Sequence, residues 1–172
     1  MILPMFIDGA SFIDFWNYKT KAFSLNDDTN EVSNKISALI EHKKMRISYM
    51  QLSRAIYSEI ELSNERNKSA DFKNIGIMNS ILYYSKELDI SSELDRYTNY
   101  HDVKAKEYVS GLPSSEYLSY YDALYVILID FRFSAEKESG LICKSSNTAK
   151  LARSLGIPSW CTLDTNLPQF RI

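Results

Sequence analysis

Apolar residues along the chain follow two different spacings. Continuous short runs predict buried strands at Ile2–Ile7, Gly140–Cys143 and Ile157–Cys161, and Arg46–Met50 is a further candidate. Apolar residues three and four positions apart predict helices elsewhere. We expect these helices from Ser11 to Phe23, Asn30 to His42, Leu52 to Ile60, Ile77 to Leu88, Ser91 to Ser110, Tyr117 to Phe133 and Asn147 to Leu155.

Short strands therefore alternate with helices along the whole chain. This order is typical of an α/β fold in which helices cover both faces of a parallel sheet. We predict one domain over residues 1–172, a three-layer Rossmann-like sandwich with a central, mostly parallel sheet of four to five short strands. Ligands bind such sheets at the carboxyl ends of the strands. Asp8 follows the first apolar run and is expected at such an end.

Composition agrees with this picture and removes several classes of protein. The chain has 172 residues, 45% of them hydrophobic and 24% charged, as in ordinary globular domains. The longest apolar run, Ala123–Ile129, is too short to span a bilayer, and Met1–Ile7 lacks the basic start of a signal peptide. Neither Cys143 nor Cys161 stands near a second Cys or a His in the sequence, so a zinc site is not expected. We expect a cytoplasmic protein with no membrane partner.

Motifs at the two ends of the chain carry a family resemblance. The N-terminal motif is F-I-D-G-A-S, from Phe6 to Ser11. The C-terminal motifs are S-Y-Y-D-A-L-Y-V-I-L-I-D, Ser119–Asp130, and G-L-I-C-K-S-S-N-T-A-K-L-A-R-S-L-G-I-P, Gly140–Pro158. In their order and spacing these segments resemble the PIN-like nuclease superfamily, with a first-strand motif similar to that of its NYN branch. The middle of the chain matches only as a succession of helices.

The resemblance implies a metal-dependent endoribonuclease. Members of the superfamily cluster acidic side chains around Mg²⁺ or Mn²⁺, which prefer oxygen ligands. The metal makes bound water a better nucleophile and offsets charge on the leaving oxygen. Carried over to this chain, Asp8 and Asp122 become catalytic residues and metal ligands. The expected substrate is single-stranded RNA, and an antitoxin-like protein or a second copy of the chain are candidate partners.

Each aspartate also has a structural interpretation. Asp8 can cap the following helix through the amides of Ala10 or Ser11. Asp122 has capping-box spacing from Ser119, and an acid suits the first turn of a helix. The resemblance favours the site interpretation in both cases, and the two roles are compatible.

The other two acidic positions of the family are altered. The second falls on Arg54, with Glu59 as a weak metal-ligand candidate and Glu61 beside it on what is otherwise a solvated helix face. At the fourth position the turn reads Lys144-Ser145-Ser146. Weak candidates for substrate binding are therefore Ser11, Arg54, Lys144, Ser146 and Asn147. Arg54 and Lys144 would oppose a divalent cation and favour phosphate.

These departures leave three functions open. The first is an active nuclease of a toxin, phage or defence type. The second is a catalytically degenerate PIN-like protein that binds RNA or a protein partner, and the third is a structural module that retains only the fold. Either Tyr83 and Tyr84 or Tyr120 and Tyr121 could stack on bases, although a place at the edge of the core is the commoner role for such residues. His101 is expected in or beside the core.

Overall fold

The protein is described by a computed structural model that covers residues 5–15, 41–42, 44–65 and 89–161. Its centre is a five-stranded sheet, and all neighbouring strands are parallel. In chain order the strands are β1 (Met5–Ile7), β2 (Met45–Ser48), β3 (Asp89–Ser91), β4 (Leu141–Cys143) and β5 (Ser159–Cys161). Across the sheet their order is β3-β2-β1-β4-β5. The predicted α/β class and parallel sheet are confirmed.

Helices cover both faces of this sheet. Residues 9–15 are helical and are called α1. The longer helices are α2 (Tyr49–Glu65), α3 (Asn99–Ser110), α4 (Tyr120–Arg132) and α5 (Ser146–Ser154). Short 3₁₀ turns lie at Ser92–Asp95 and Lys137–Ser139. Among the described helices, none is long and apolar enough to cross a membrane.

The alternation of side chains along the strands separates two apolar cores. Because successive strand residues point to opposite faces, Phe6 belongs to one core while Ile7 belongs to the other. The first core lies under α3, α4 and α5, and α4 contributes an unbroken buried run from Ala123 to Ile129. The second core lies under α1 and α2. The longest apolar run of the sequence thus lies in α4 and is buried in the first core.

Two predicted elements near the middle of the chain need correction. The strand expected over Arg46–Met50 ends at Ser48, because the hydroxyl of Ser48 accepts a hydrogen bond from the Gln51 amide at 3.2 Å and the helix begins at Tyr49. The helix expected from Ser91 is in fact β3, a 3₁₀ turn and then α3 from Asn99. A three-residue strand with one apolar member has no detectable periodicity.

The remaining helix predictions agree to within a few residues or fall outside the described residues. Helix α4 begins at Tyr120 with Ser119 as its N-cap, whose hydroxyl accepts from the Tyr121 amide at 3.2 Å. Helix α5 agrees with its prediction to one residue at each end. Most of the helix expected from Asn30 to His42, and all of that from Ile77 to Leu88, lie outside the described part of the chain.

Candidate functional site

Asp8 lies at the point where the order of strands reverses. Strand β1 has β2 on one side and β4 on the other, so chain connections leave it in opposite directions. In open parallel sheets this switch point forms a crevice at the carboxyl ends of the strands, where ligands bind. Asp8 directly follows β1 and its side chain is only 3% exposed. The predicted position of Asp8 at a strand end is confirmed.

Both carboxylate oxygens of Asp8 accept backbone hydrogen bonds. The Ser11 amide donates to Oδ1 at 2.8 Å, and the Lys144 amide donates to Oδ2 at 3.1 Å. The first bond caps α1, as the structural interpretation of Asp8 expected. The second ties β1 to the residue that follows β4. Asp8 therefore joins two neighbouring strand ends, and each of its oxygens keeps a lone pair for another partner.

Asp122 lies close enough to Asp8 for the two carboxylates to interact. The pKa of Asp8 is raised to about 6, mainly by burial and also by the negative charge of Asp122, while hydrogen bonds from Ser11 and from the Lys144 amide lower it. The pKa of Asp122 is also raised by burial, while the Gln51 hydrogen bond and the Arg54 charge lower it. Neighbouring acids whose pKa values are raised by burial are enriched at functional sites. The structure thus brings together the two aspartates that the sequence singled out.

Gln51 bridges the segments that carry these two aspartates. Its side-chain nitrogen Nε2 donates to Oδ1 of Asp122 and to the Tyr121 carbonyl, both at 3.2 Å. Its oxygen Oε1 accepts a long hydrogen bond of 3.5 Å from the Gly9 amide, next to Asp8. Gln51 is only 6% exposed. Sequence reasoning missed this residue, because one glutamine in the first turn of a helix indicates no function until the fold is known.

Gly9 allows this close approach of α1 and α2. A Cβ atom at Gly9 would lie 2.0 Å from the carbonyl oxygen of Gln51 and 3.0 Å from the Cβ of Ala55. Any other residue must therefore push the two helices apart. Within the Asp-Gly pair of the N-terminal motif, Gly9 is required by this packing, and Asp8 belongs to the candidate site.

Arg54 lies one turn after Gln51, at the solvent side of the pair. Its guanidinium carbon is 3.7 Å from the centre of the Tyr121 ring, a stacked cation–π geometry. The Arg54 side chain is exposed, and its positive charge lowers the pKa of Asp122. Arg54 thus adds a cation at the edge of the site.

A third aspartate, Asp95, lies along the same edge of the sheet as Asp8. It belongs to the 3₁₀ turn after β3, and its Oδ1 accepts from the Ser48 hydroxyl and, at 3.1 Å, from the Met50 amide. The buried Tyr125 lies between the two strand ends: its hydroxyl donates to the Ile7 carbonyl at 2.9 Å. Burial, followed by the charges of Asp8 and Asp95, raises the pKa of Tyr125. Sequence reasoning missed Asp95 because it missed β3.

The weaker candidates are dispersed around the two aspartates. Lys144 contacts Asp8 through its backbone amide, while its Nζ pairs with Asp14 at 3.1 Å. Ser146 is exposed at the start of α5, and the Asn147 amide donates to the Tyr117 carbonyl at 2.8 Å. The backbone of Glu59 lies within α2, and its side chain lies outside the described atoms.

Ser11 is the weak candidate that lies closest to the pair. It is fully buried, and its hydroxyl is near enough to the Asp8 carboxylate to lower the pKa of that group. Among the described residues, the Ser11 oxygen has no hydrogen-bond partner other than this carboxylate.

Among the described residues, no group of three or more His, Cys, Asp or Glu side chains could hold a metal ion. Asp8 and Asp122 are two carboxylates only, so they do not by themselves form such a group. The fold also pairs Cys143 with Cys161 in register on β4 and β5, although the sequence separates them. Both thiols are buried, and burial raises the pKa of Cys143, so it is a poor nucleophile and metal ligand.

Comparison of the chain with protein-family models, curated proteins and solved structures gives no match.

Proposed function

We propose that the protein is a metal-dependent phosphodiesterase of the PIN-like kind, acting on RNA with Asp8 and Asp122 at its centre. The observation that supports this proposal is the pair of largely buried carboxylates with raised pKa values at the switch point of a parallel sheet. A pair of acids with raised pKa values is stabilised by a bound cation, which offsets their repulsion.

The residues present fit a hard divalent cation. Mg²⁺ and Mn²⁺ take oxygen ligands and commonly use one or two protein carboxylates, with water completing the coordination. The Asp8 and Asp122 carboxylates would hold the ion, and the buried Ser11 hydroxyl beside Asp8 would supply a further oxygen. When bound, such an ion activates water and stabilises charge on a phosphoryl oxygen.

The chain's own residues account for substrate orientation in this proposal. Arg54 is exposed beside Asp122, and its guanidinium carbon lies over the Tyr121 ring. A planar guanidinium can donate two parallel hydrogen bonds to a phosphate. Arg54 therefore binds a phosphate of the RNA backbone next to the acidic pair, and the buried Asp8 stays fixed by its two backbone amides.

A second candidate function is a degenerate member that binds RNA without cleaving it. The observation that favours it is the occupied state of Asp122, which accepts the Gln51 amide and lies beside the Arg54 charge. Both partners partly satisfy the carboxylate without a metal. In that case Arg54 and Tyr121 carry the phosphate and base contacts, and the acids are structural.

Cleavage of a fluorescent single-stranded RNA in Mn²⁺ tests the first candidate. The wild type should cleave the RNA, and EDTA should stop the reaction. Asp122→Asn should lower the rate at least about a hundredfold, because even the residues that hydrogen-bond to metal ligands contribute about 10–100-fold. Glu107→Gln is the matched control, since it makes the same carboxylate-to-amide change on the exposed surface of α3. RNA binding by the wild type without cleavage would favour the second candidate. Equal cleavage in EDTA would contradict both.

A further inference from the structure

A groove runs between α3, α4 and α5, on the outer side of the first core. One wall is formed by Tyr100, Lys104 and Tyr108, which stand at every fourth position of α3, and the opposite wall by Leu151 and Leu155. The cavity measures about 270 Å³ and its lining is mostly apolar. Because an apolar cavity of about 150 Å³ already holds a benzene ring, this groove has room for an aromatic side chain.

Two exposed aromatic residues stand beside this cavity on the same surface. Tyr100 on α3 is 51% exposed and Phe131 on α4 is 49% exposed, and their rings meet edge to face with centroids 5.1 Å apart. The His101 ring packs against Phe131 at 5.4 Å. These contacts restrict the exposed rings, so a second surface that covers them costs little side-chain entropy. The surface therefore carries both a cavity of aromatic size and aromatic groups able to fill one.

The groove is also lined by one cation and one anion. Lys104 lies on the α3 wall and Asp130 on α4. The Lys104 Nζ is 3.7 Å from Glu107, a long ion pair between exposed side chains. Asp130 Oδ1 accepts from the Lys137 Nζ at 2.8 Å, and a carboxylate can accept further hydrogen bonds. A surface with one charged group of each sign is complementary to a copy of itself.

We infer that this groove is a self-association surface, through which two copies of the chain pair about a twofold axis. In such an interface the same patch serves both copies, so it must supply a cavity, the group that fills it and charges of both signs. Phe131 and Tyr100 of each copy enter the groove of the other. Lys104 of one copy faces Asp130 of the other, and this contact occurs twice.

The exposed rings are of the size that the centre of a dimer interface needs. An aromatic side chain buries about 150–250 Å², so two half-exposed rings offer roughly 200 Å² of the 800 Å² or so that each partner buries in a standard interface. Binding energy concentrates on such central aromatic residues. Asp122 lies in the first turn of α4 and Phe131 in the last, about 14 Å apart along the helix. The pairing therefore leaves the acidic pair open and does not depend on the proposed function.

Sedimentation velocity of the full chain over a series of concentrations tests this surface. The wild type should form a dimer, and Phe131→Glu should raise the dimer Kd at least about thirtyfold, because it places a charge at the centre of the interface. Tyr57→Glu is the matched control. It adds the same charge at an exposed aromatic residue of α2, on the other face of the sheet, and should change the Kd less than about twofold.

A charge exchange tests the twofold pairing itself. Lys104→Glu and Asp130→Lys should each weaken self-association at least about fivefold, because each sets like charges together at both contacts. An equimolar mixture of the two variants should recover the dimer to within about threefold of the wild-type Kd, since the mixed dimer restores both opposite-charge contacts. Recovery in the mixture would show that Lys104 of one copy meets Asp130 of the other.

Three results would overturn the inference. The first is a wild type that stays monomeric up to about 1 mM. The second is an effect of Tyr57→Glu equal to that of Phe131→Glu, and the third is a mixture that associates no better than its components. If Asp130→Lys fails to fold without its Lys137 contact, the exposed Lys104→Glu decides against Tyr57→Glu: equal dimer Kd values for these two variants would also overturn the inference.

Discussion

Asp8 and Asp95 each follow a strand of the sheet and cap a helix, but their surroundings differ. Strand β2 separates the two strands, β1 and β3, that these aspartates follow. Asp8, after β1, accepts the Ser11 amide at the start of α1, and Asp95, after β3, accepts the Met50 amide at the start of α2. Asp8 lies beside a second acid, and its pKa is raised to about 6, mainly by burial. Asp95 receives a serine hydroxyl instead. Both acids therefore cap a helix, and the adjacent buried carboxylate is the feature that distinguishes Asp8 from Asp95.

The largest expected effect concerns Gly9, the first residue of α1. Gly9→Ala places a methyl group 2.0 Å from the Gln51 carbonyl oxygen and should lower the free energy of unfolding by about 3 kcal/mol, as overpacking does in cores. Urea unfolding measures this change. Gly111→Ala is the control, because its Cβ would meet nothing closer than 3.3 Å and the residue is exposed. Equal stability of the two variants would show that α1 and α2 are not closely packed.

The next effect is the pH dependence of stability that Asp8 contributes. Its pKa in the folded protein, about 6, lies above the ordinary 3.8, so between these values the folded state binds more protons than the unfolded chain. The free energy of unfolding should therefore fall as pH rises from about 3 to 7, by roughly 3 kcal/mol in total for a pKa difference of this size.

Comparison of the wild type with Asp8→Asn isolates this contribution. The amide keeps one acceptor oxygen, so the variant loses one of two backbone hydrogen bonds at every pH, which costs about 1–3 kcal/mol. Wild type minus variant should decrease between pH 4 and pH 7 when unfolding is followed in urea. Parallel pH profiles for the two proteins would mean that Asp8 titrates normally.

The smallest effect concerns the cap built on Asp95. Asp95→Ala removes the acceptor for the Ser48 hydroxyl and the Met50 amide, so the free energy of unfolding should fall by about 1–2 kcal/mol. Ser48→Ala should cost about 1 kcal/mol, because Asp95 still accepts from Met50. Circular dichroism during thermal unfolding measures both variants. A larger loss of unfolding free energy in Ser48→Ala than in Asp95→Ala would contradict the assignment of Asp95 as the main acceptor of this cap.

Much of the fold could be predicted from the sequence because its signals are strong where the core is. The apolar run at Ala123–Ile129 and the strand before Asp8 both follow from burial on a parallel sheet. Strand β3 could not be found, since Asp89 and Ser91 flank one apolar residue and the neighbouring β2 supplies its hydrogen bonds. Strand identity here is decided by tertiary pairing, not by local pattern.

The candidate site was only half predictable for the same reason. Asp8 and Asp122 end or begin strongly patterned elements, so their meeting follows from the topology. Gln51 depends on where α2 begins, and the sequence placed that start at Leu52 instead of Tyr49. The prediction that aligned the second acidic position with Arg54 therefore overlooked the residue that contacts Asp122.

The most direct test of the account is a Mn²⁺ titration of the wild type, Asp8→Asn and Asp95→Asn, followed by calorimetry. If the acidic pair at the switch point is the site, Asp8→Asn should weaken binding at least about tenfold, and Asp95→Asn should leave it within about threefold. Equal weakening by both substitutions, or unchanged affinity in Asp8→Asn, would contradict the assignment of the site to Asp8 and Asp122.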